Sequence, residues 1–135
     1  MANRSIEIHD ARLAQLSVVS GTAELRFSAL YIHESQGVPG VDAGIGWFQP
    51  AILRIYVANV AGTFASFPVD LTDGHMIFDG KRIDNVIALP LHFPGKFELS
   101  LVPMWNSDQI FSVTGIGADL ELVGVAGDIE QVNGN

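Results

Sequence analysis

The stretch Thr22-Ala-Glu-Leu-Arg-Phe-Ser-Ala29 decides the fold class, because apolar and polar residues alternate along it with a period of two. Such alternation is typical of an antiparallel strand with one buried and one solvated face. The turn residues Ser20-Gly21 come just before it, and residues 12–19 supply a partner strand, so a hairpin is predicted. The predicted buried face carries Ala23, Leu25, Phe27 and Ala29.

Short strands separated by turn residues continue along the rest of the chain. Lys96–Val102 alternates in the same way, and Asp79-Gly80 between two apolar runs predicts another hairpin. Asp73-Gly74 and Gly115-Ile-Gly117 are interpreted as further turns. No segment shows helical periodicity with caps. About nine or ten short strands predict an antiparallel β-sandwich or a flattened barrel. We expect one domain over residues 1–135, with a flexible tail from about residue 128.

The segment from Tyr31 to Pro50 departs from this pattern. It combines four glycines and two prolines with aromatic and acidic residues. We predict one long, ordered Gly/Pro connection here. Long connections inside compact domains are usually functional or disordered, and the aromatic content argues against disorder. The segment is therefore the first place to look for a site.

Composition and charge restrict the classes of partner. The 135 residues carry a net charge of −8 and no cysteine, which excludes disulfides and thiolate chemistry. An acidic surface repels phosphates, so neither nucleic acid nor an anionic membrane is expected as a partner. No signal peptide and no membrane-spanning run is seen, which favours a cytoplasmic location.

The charge is also unevenly distributed, since no Lys or Arg follows Lys96. The acidic C-terminal part is interpreted either as a solvated surface or as a docking face for a basic partner. The chain is 48% hydrophobic and only 16% charged, so a homo-oligomer that buries a sheet face or edge fits the composition.

Three motifs resemble a group of small bacterial all-β domains of unknown function. The first is Ile8-His-Asp-Ala-Arg-Leu13, which matches the His-Asp-(Ala or Ser)-x-Leu of the first strand in that group. The others are the run from Tyr31 to Trp47 and Asp84-Asn-Val-Ile-Ala-Leu-Pro90. The resemblance covers most of the chain and implies the fold class, but it brings no assigned activity with it.

His33, Glu34 and Asp42 are the candidates for metal chemistry. An imidazole and two carboxylates on one connection could bind a divalent cation and support a metal-assisted hydrolase or isomerase. Their spacing matches no metal-binding signature, and no metal or other cofactor is predicted. The alternative is that Glu34 and Asp42 bond backbone amides and hold the shape of the loop.

The aromatic residues suggest a binding site of another kind. Exposed Tyr31, Trp47 and Trp105 could stack on a sugar-like ligand, with Asp84-Asn85 bonding its hydroxyl groups. The alternative is that both tryptophans are buried in the core.

We therefore expect a non-catalytic binding or interaction domain for a small polar or glycan-like ligand or for a protein partner. The alternatives are the metal-assisted enzyme and an acidic, immunity-type protein that neutralises a basic partner. Enzymatic activity is less well supported than binding, because no nucleophile motif is present.

Overall fold

The computed structural model describes residues 2–62, 64, 66–105 and 110–133, and all of its regular structure is β-strand. The prediction of an all-β antiparallel domain is confirmed. Among the described residues no helix is long and apolar enough to cross a membrane. The strands are β1 (Asn3–Val19), β2 (Thr22–Ser35), β3 (Gly44–Ile55), β4 (Asn59–Ala61), β5 (Val69–Phe78), β6 (Lys81–Asp84), β7 (Val86–Leu89), β8 (His92–Pro103), β9 (Phe111–Leu122) and β10 (Glu130–Val132).

Six strands close into a ring in the order β1, β2, β3, β9, β8 and β5, with β5 pairing back to β1. The ring closes along a seam between β3 and β9 that runs from Ala51↔Leu122 to Ile55↔Ala118. Strands β4, β6, β7 and β10 pair with members of the ring. The described strands thus belong to a single sheet, and closure removes the free edges of its six central strands.

The inside of the ring is filled by alternate side chains. Ala23, Leu25 and Phe27 are buried as predicted, at 0%, 0% and 6% exposure, whereas Ala29 is only half-buried. The pairing of β2 with β3 is irregular between Phe27 and Leu30. This irregularity reverses the alternation, because Leu30 and Ile32 are then the buried residues. Tyr31 and His33 consequently lie on the outer face of β2.

Strands β1, β2 and β3 continue past the ring as a single layer, which we call the extension. On one side, β1 pairs with β5 at Arg12–Leu13 but with β7 along Arg4–Glu7. On the other side, β3 pairs with β9 along the seam but with β10 along Gly44–Gly46. The extension therefore consists of β10, β3, β2, β1 and β7 in that order.

The prediction of one long connection between Tyr31 and Pro50 was wrong. Tyr31–Ser35 complete β2 and Gly44–Pro50 begin β3, so only residues 36–43 connect the two strands. These strand ends resemble a loop in the sequence because they contain glycines and outward-facing polar residues, which are typical of connections. Residues 130–132, which we placed in a flexible tail, form β10 against β3.

Glycine marks a turn at some positions and a close backbone approach at others. The predicted hairpins at Ser20-Gly21 and Asp79-Gly80 are confirmed, and all four residues have positive φ, as type I′ turns require. The predicted turns at Asp73-Gly74 and Gly115-Ile-Gly117 were wrong, because β5 and β9 run through them. A Cβ at Gly115 would overlap the Tyr56 carbonyl and the Ile55 side chain. Glycine there allows the chain after β3 to pass close to β9.

A polar latch lies on the outside of the seam. The Tyr56 hydroxyl donates a hydrogen bond of 2.6 Å to Asp119 Oδ2, and His92 Nδ1 contacts the other carboxylate oxygen. The hydrogen bond from Tyr56, followed by that with His92, lowers the pKa of Asp119 from its ordinary value. The latch therefore ties the chain after β3 to β9 most strongly while Asp119 is ionised.

Tyr56→Phe is expected to lower the free energy of unfolding at pH 7 by about 1 kcal/mol, because solvent at this partly exposed site weakens a hydrogen bond to a charged group. Because the pKa of Asp119 is lower in the folded state, the ionised carboxylate stabilises the fold at pH values above the unfolded pKa of about 3.9. That stabilisation is lost as the pH falls through the folded pKa of Asp119, so the difference between the proteins should shrink there. Urea unfolding at several pH values between neutral and acid measures this. A difference that stays constant with pH would show that the latch does not depend on the Asp119 charge.

Candidate functional site

Rows of side chains cross the outer face of the extension, with one residue from each paired strand in a row. Their direction follows from their neighbours, because Ile6, Ile32, Trp47 and Ile87 are buried on the other face. One row contains Phe48, Tyr31, Glu7 and Val86, and the next contains Glu130, Gly46, His33, Ser5 and Ala88.

Tyr31 is at the centre of these rows. Its ring makes edge-to-face contacts with Phe48 and His33, at centroid distances of 4.8 and 4.9 Å. A Cβ at Gly46 would overlap the Tyr31 ring and hydroxyl, so glycine at this position makes room for the ring. Gly46 is also the pairing partner of Glu130. Because Gly46 on β3 has no side chain, the Tyr31 ring extends over it towards Glu130 on β10.

The surroundings of Tyr31 are negatively charged. Burial raises the pKa of Tyr31, and the carboxylates of Glu130 and Glu7 raise it further. A phenolate would be repelled by both carboxylates, so the phenol stays protonated. The described residues offer its hydroxyl no hydrogen-bond partner, which leaves this group free for a ligand.

His33 lies next to Tyr31 in the neighbouring row and is only 8% exposed. Its Nε2 is 3.2 Å from Glu7 Oε1, a contact that fixes the Glu7 carboxylate beside Tyr31. In the described part of the chain, His33 Nδ1 and the Ser5 hydroxyl are buried without a partner, on residues that pair directly across β1 and β2. His33 therefore positions Glu7 and lies below the surface to which a ligand has access.

A bulge in β1 places His9 and Asp10 beside Glu7. The pairing of β1 with β2 is irregular between Glu7 and Arg12, and Asp10 has a φ of 69°. Asn85 holds the bulge, since its Oδ1 accepts a hydrogen bond of 2.7 Å from the His9 amide and its carbonyl accepts one from the Ile8 amide. His9 Nδ1 is 3.1 Å from Asp10 Oδ2. Asn85 thus shapes the site through the backbone of β1.

These side chains surround an open cavity of about 240 Å³, which we call the Tyr31 pocket. Three carboxylates and two aromatic rings line it, and no Lys or Arg does among the described residues. Its lining residues are Glu7, His9, Asp10, Tyr31, Phe48 and Glu130.

The three candidates for metal chemistry do not converge. His33 contacts Glu7, whereas Glu34 points to the opposite face and accepts a hydrogen bond of 2.7 Å from Arg4 Nε. Asp42 Oδ2 accepts a hydrogen bond of 2.6 Å from the Val38 amide and closes the turn of the 36–43 connection. Asp42 therefore holds the loop shape, as the alternative interpretation expected, while Glu34 is bound to a side chain instead of an amide.

The remaining predicted residues are distributed over the molecule. Trp47 is 6% exposed, and its indole N–H donates a hydrogen bond to Gln49. Trp105 is 86% exposed. Asp84 is bound to Arg82 on the surface. Of the residues predicted from sequence, Tyr31 lines the pocket. His33 contacts the lining residue Glu7, and Asn85 accepts hydrogen bonds from the backbone of β1 beside the pocket.

The sequence analysis did not select five of the six lining residues, namely Glu7, His9, Asp10, Phe48 and Glu130. Glu7 and Phe48 become visible once β1, β2 and β3 are aligned in register, because they flank Tyr31 in the same row. Glu130 lies in the part of the chain that we expected to be a tail. The pairing of β10 with β3 was the missing information.

Comparisons with family models, with curated proteins and with solved structures find no match to this chain. The described residues contain no group of three or more His, Cys, Asp or Glu arranged to hold a metal ion. The geometry of the Tyr31 pocket is therefore the basis for a functional proposal.

Gly46→Ala is expected to displace the Tyr31 ring and to lower the free energy of unfolding by about 1–3 kcal/mol, as overpacking usually does. In a Tyr31→Ala background the same substitution should cost well under about 1 kcal/mol, because the overlapping ring is gone. Urea unfolding of the wild type, both single variants and the double variant measures the coupling. An equal cost in both backgrounds would contradict the role assigned to Gly46.

Proposed function

We propose that the protein is a non-catalytic binding domain that seats one cationic side chain of a basic protein partner in the Tyr31 pocket. The observation that carries this proposal is the combination of three carboxylates with two nearly perpendicular aromatic rings around one small cavity. An immunity-type role, in which the domain neutralises a basic protein, is one form of this function.

The aromatic rings suit a cation. Tyr31 and Phe48 meet at an interplanar angle of 74°, so they form two walls of a corner. A Lys ammonium or Arg guanidinium over an aromatic face gains about 0.5–1 kcal/mol at exposed sites and more when it is desolvated. The free Tyr31 hydroxyl adds a hydrogen-bond acceptor at the same corner.

The carboxylates favour the same class of ligand. Glu7 is held by His33 and Asp10 by His9, whereas Glu130 has no partner among the described residues. An incoming cation would therefore meet at least one carboxylate that is not already engaged. The net charge of −8 adds a longer-range attraction for a basic partner and raises its rate of association.

The size of the cavity favours a side chain over a larger molecule. Pockets for drug-sized ligands enclose about 300–1,000 Å³, and this one encloses about 240 Å³. A glycan-like ligand would find two stacking faces at an angle, instead of one open platform. The metal-assisted enzyme receives no support from the side chains proposed for it, because each of the three is engaged elsewhere.

NMR titration with Nα-acetyl-lysine methylamide is expected to shift the resonances of residues that line the Tyr31 pocket. The affinity of such a fragment should be weak, with a Kd on the order of 1–10 mM. The arginine analogue should bind the same residues, and the uncharged norleucine analogue should not. Saturable binding of the norleucine analogue with equal affinity would show that charge is not recognised.

Two substitutions with the same charge change test the location of the site. Glu130→Gln should weaken binding of the lysine analogue by about fivefold, which corresponds to one nearby charge close to the surface. Glu98→Gln is the matched control, because Glu98 is exposed on β8 and lies outside the pocket. It should leave the affinity unchanged. An equal loss in both variants would indicate attraction by net charge alone.

A further inference from the structure

A second cavity lies on the opposite face of the extension, at the open end of the ring. It encloses about 470 Å³, and we call it the mouth cavity. Its walls continue the inward faces of the strands, since Leu89 follows buried Ile87 and Leu120 follows buried Ala118 in the alternation. The lining residues are Ala2, Asn3, Arg4, Leu89, Pro90, Leu120 and Leu122.

The mouth cavity exists because β1 and β3 change partners there. The seam between β3 and β9 reaches only as far as the pair Ala51↔Leu122, beyond which β3 pairs with β10. The end of β9 and the start of β1 are therefore left on opposite sides of an opening. Leu89, Leu120 and Leu122 are only partly buried there, against the core.

Arg4 is the one charged side chain in the described wall. Its guanidinium is fixed from two sides, because Nε donates to Glu34 at 2.7 Å and Cζ lies 5.4 Å from the centre of the Trp47 ring. Trp47 is held in turn by Gln49, whose own amide bonds the Val123 carbonyl. The two terminal nitrogens of Arg4 have no partner among the described residues.

We propose that the mouth cavity binds a carboxylate with a medium-length hydrocarbon chain. The terminal nitrogens of Arg4 would donate to the two carboxylate oxygens, the paired geometry that a guanidinium favours. The hydrocarbon chain would cover the leucine side chains and remove apolar surface from water. The volume lies in the range of small-ligand pockets.

The charge of the ligand follows from what faces the cavity. Glu34 neutralises Arg4 in part, but it binds through Nε and is not itself a lining residue. A cationic ligand would meet the guanidinium directly and be repelled. The mouth cavity and the Tyr31 pocket thus select opposite charges on the two faces of one sheet layer.

The test uses the indole N–H of Trp47 as a reporter. The chain has two tryptophans, so exposed Trp105→Phe leaves a single indole signal in an NMR spectrum. In this background, octanoate should shift the Trp47 signal in a saturable manner. Octan-1-ol, which has the same chain length and no charge, should bind about tenfold more weakly, since it lacks the charge-assisted hydrogen bonds.

Substitutions on the two sides of the ion pair should act in opposite directions. Arg4→Gln should reduce octanoate affinity about tenfold, to the level of octan-1-ol. Glu34→Gln frees Arg4 from its counter-charge and should raise octanoate affinity about threefold to fivefold. The gain in the second variant cannot come from misfolding, so it separates the proposal from a general loss of structure.

Glu130→Gln should leave octanoate binding unchanged, which keeps this proposal independent of the Tyr31 pocket. Three results would overturn it: no saturable shift with octanoate, equal affinities for octanoate and octan-1-ol, or a loss of octanoate affinity in Glu34→Gln.

Discussion

The structure depends on the change of strand partners at the end of the ring. Along the seam, β3 pairs with β9 and closes the sheet, but beyond Ala51 it pairs with β10. On the other side, β1 exchanges β5 for β7. These two exchanges convert a closed sheet into a single layer, with an exposed outer face and an inner face that borders the open end of the ring. The Tyr31 pocket and the mouth cavity both follow from that geometry, since neither would be open if the ring continued to the ends of β1 and β3.

β2 contributes side chains to both faces of the extension. Its irregularity between Phe27 and Leu30 reverses the alternation, so that Tyr31 and His33 face outwards while Ile32 faces the core. Glu34 then falls on the inward side, next to Arg4. Adjacent residues of one short sequence therefore belong to different environments. This is why His33, Glu34 and Asp42, which are close in sequence, do not form one site.

The sequence predicted the fold class because alternation and turn dipeptides are local signals. Residues 22–27 and the turn at Asp79-Gly80 behave as their own composition dictates. The glycines at 74, 115 and 117 led to wrong turn predictions, because glycine inside a strand cannot be distinguished from glycine in a turn unless the neighbouring strand is known. The candidate site was only partly visible. Tyr31 was found through its unusual surroundings, but Glu7 and Glu130 are brought to it by pairings over long sequence distances, which no local pattern encodes.

The short strand β10 has a consequence for how the molecule behaves among copies of itself. It is the outermost strand of the extension, and it covers the backbone groups of β3 from Gly44 to Gly46. An uncovered edge of this kind is a template for strand addition and aggregation. Residue 46 cannot carry a protective side chain, because the Tyr31 ring occupies that space. The strand that supplies Glu130 to the pocket is therefore also the one that keeps a glycine-rich edge from joining another chain.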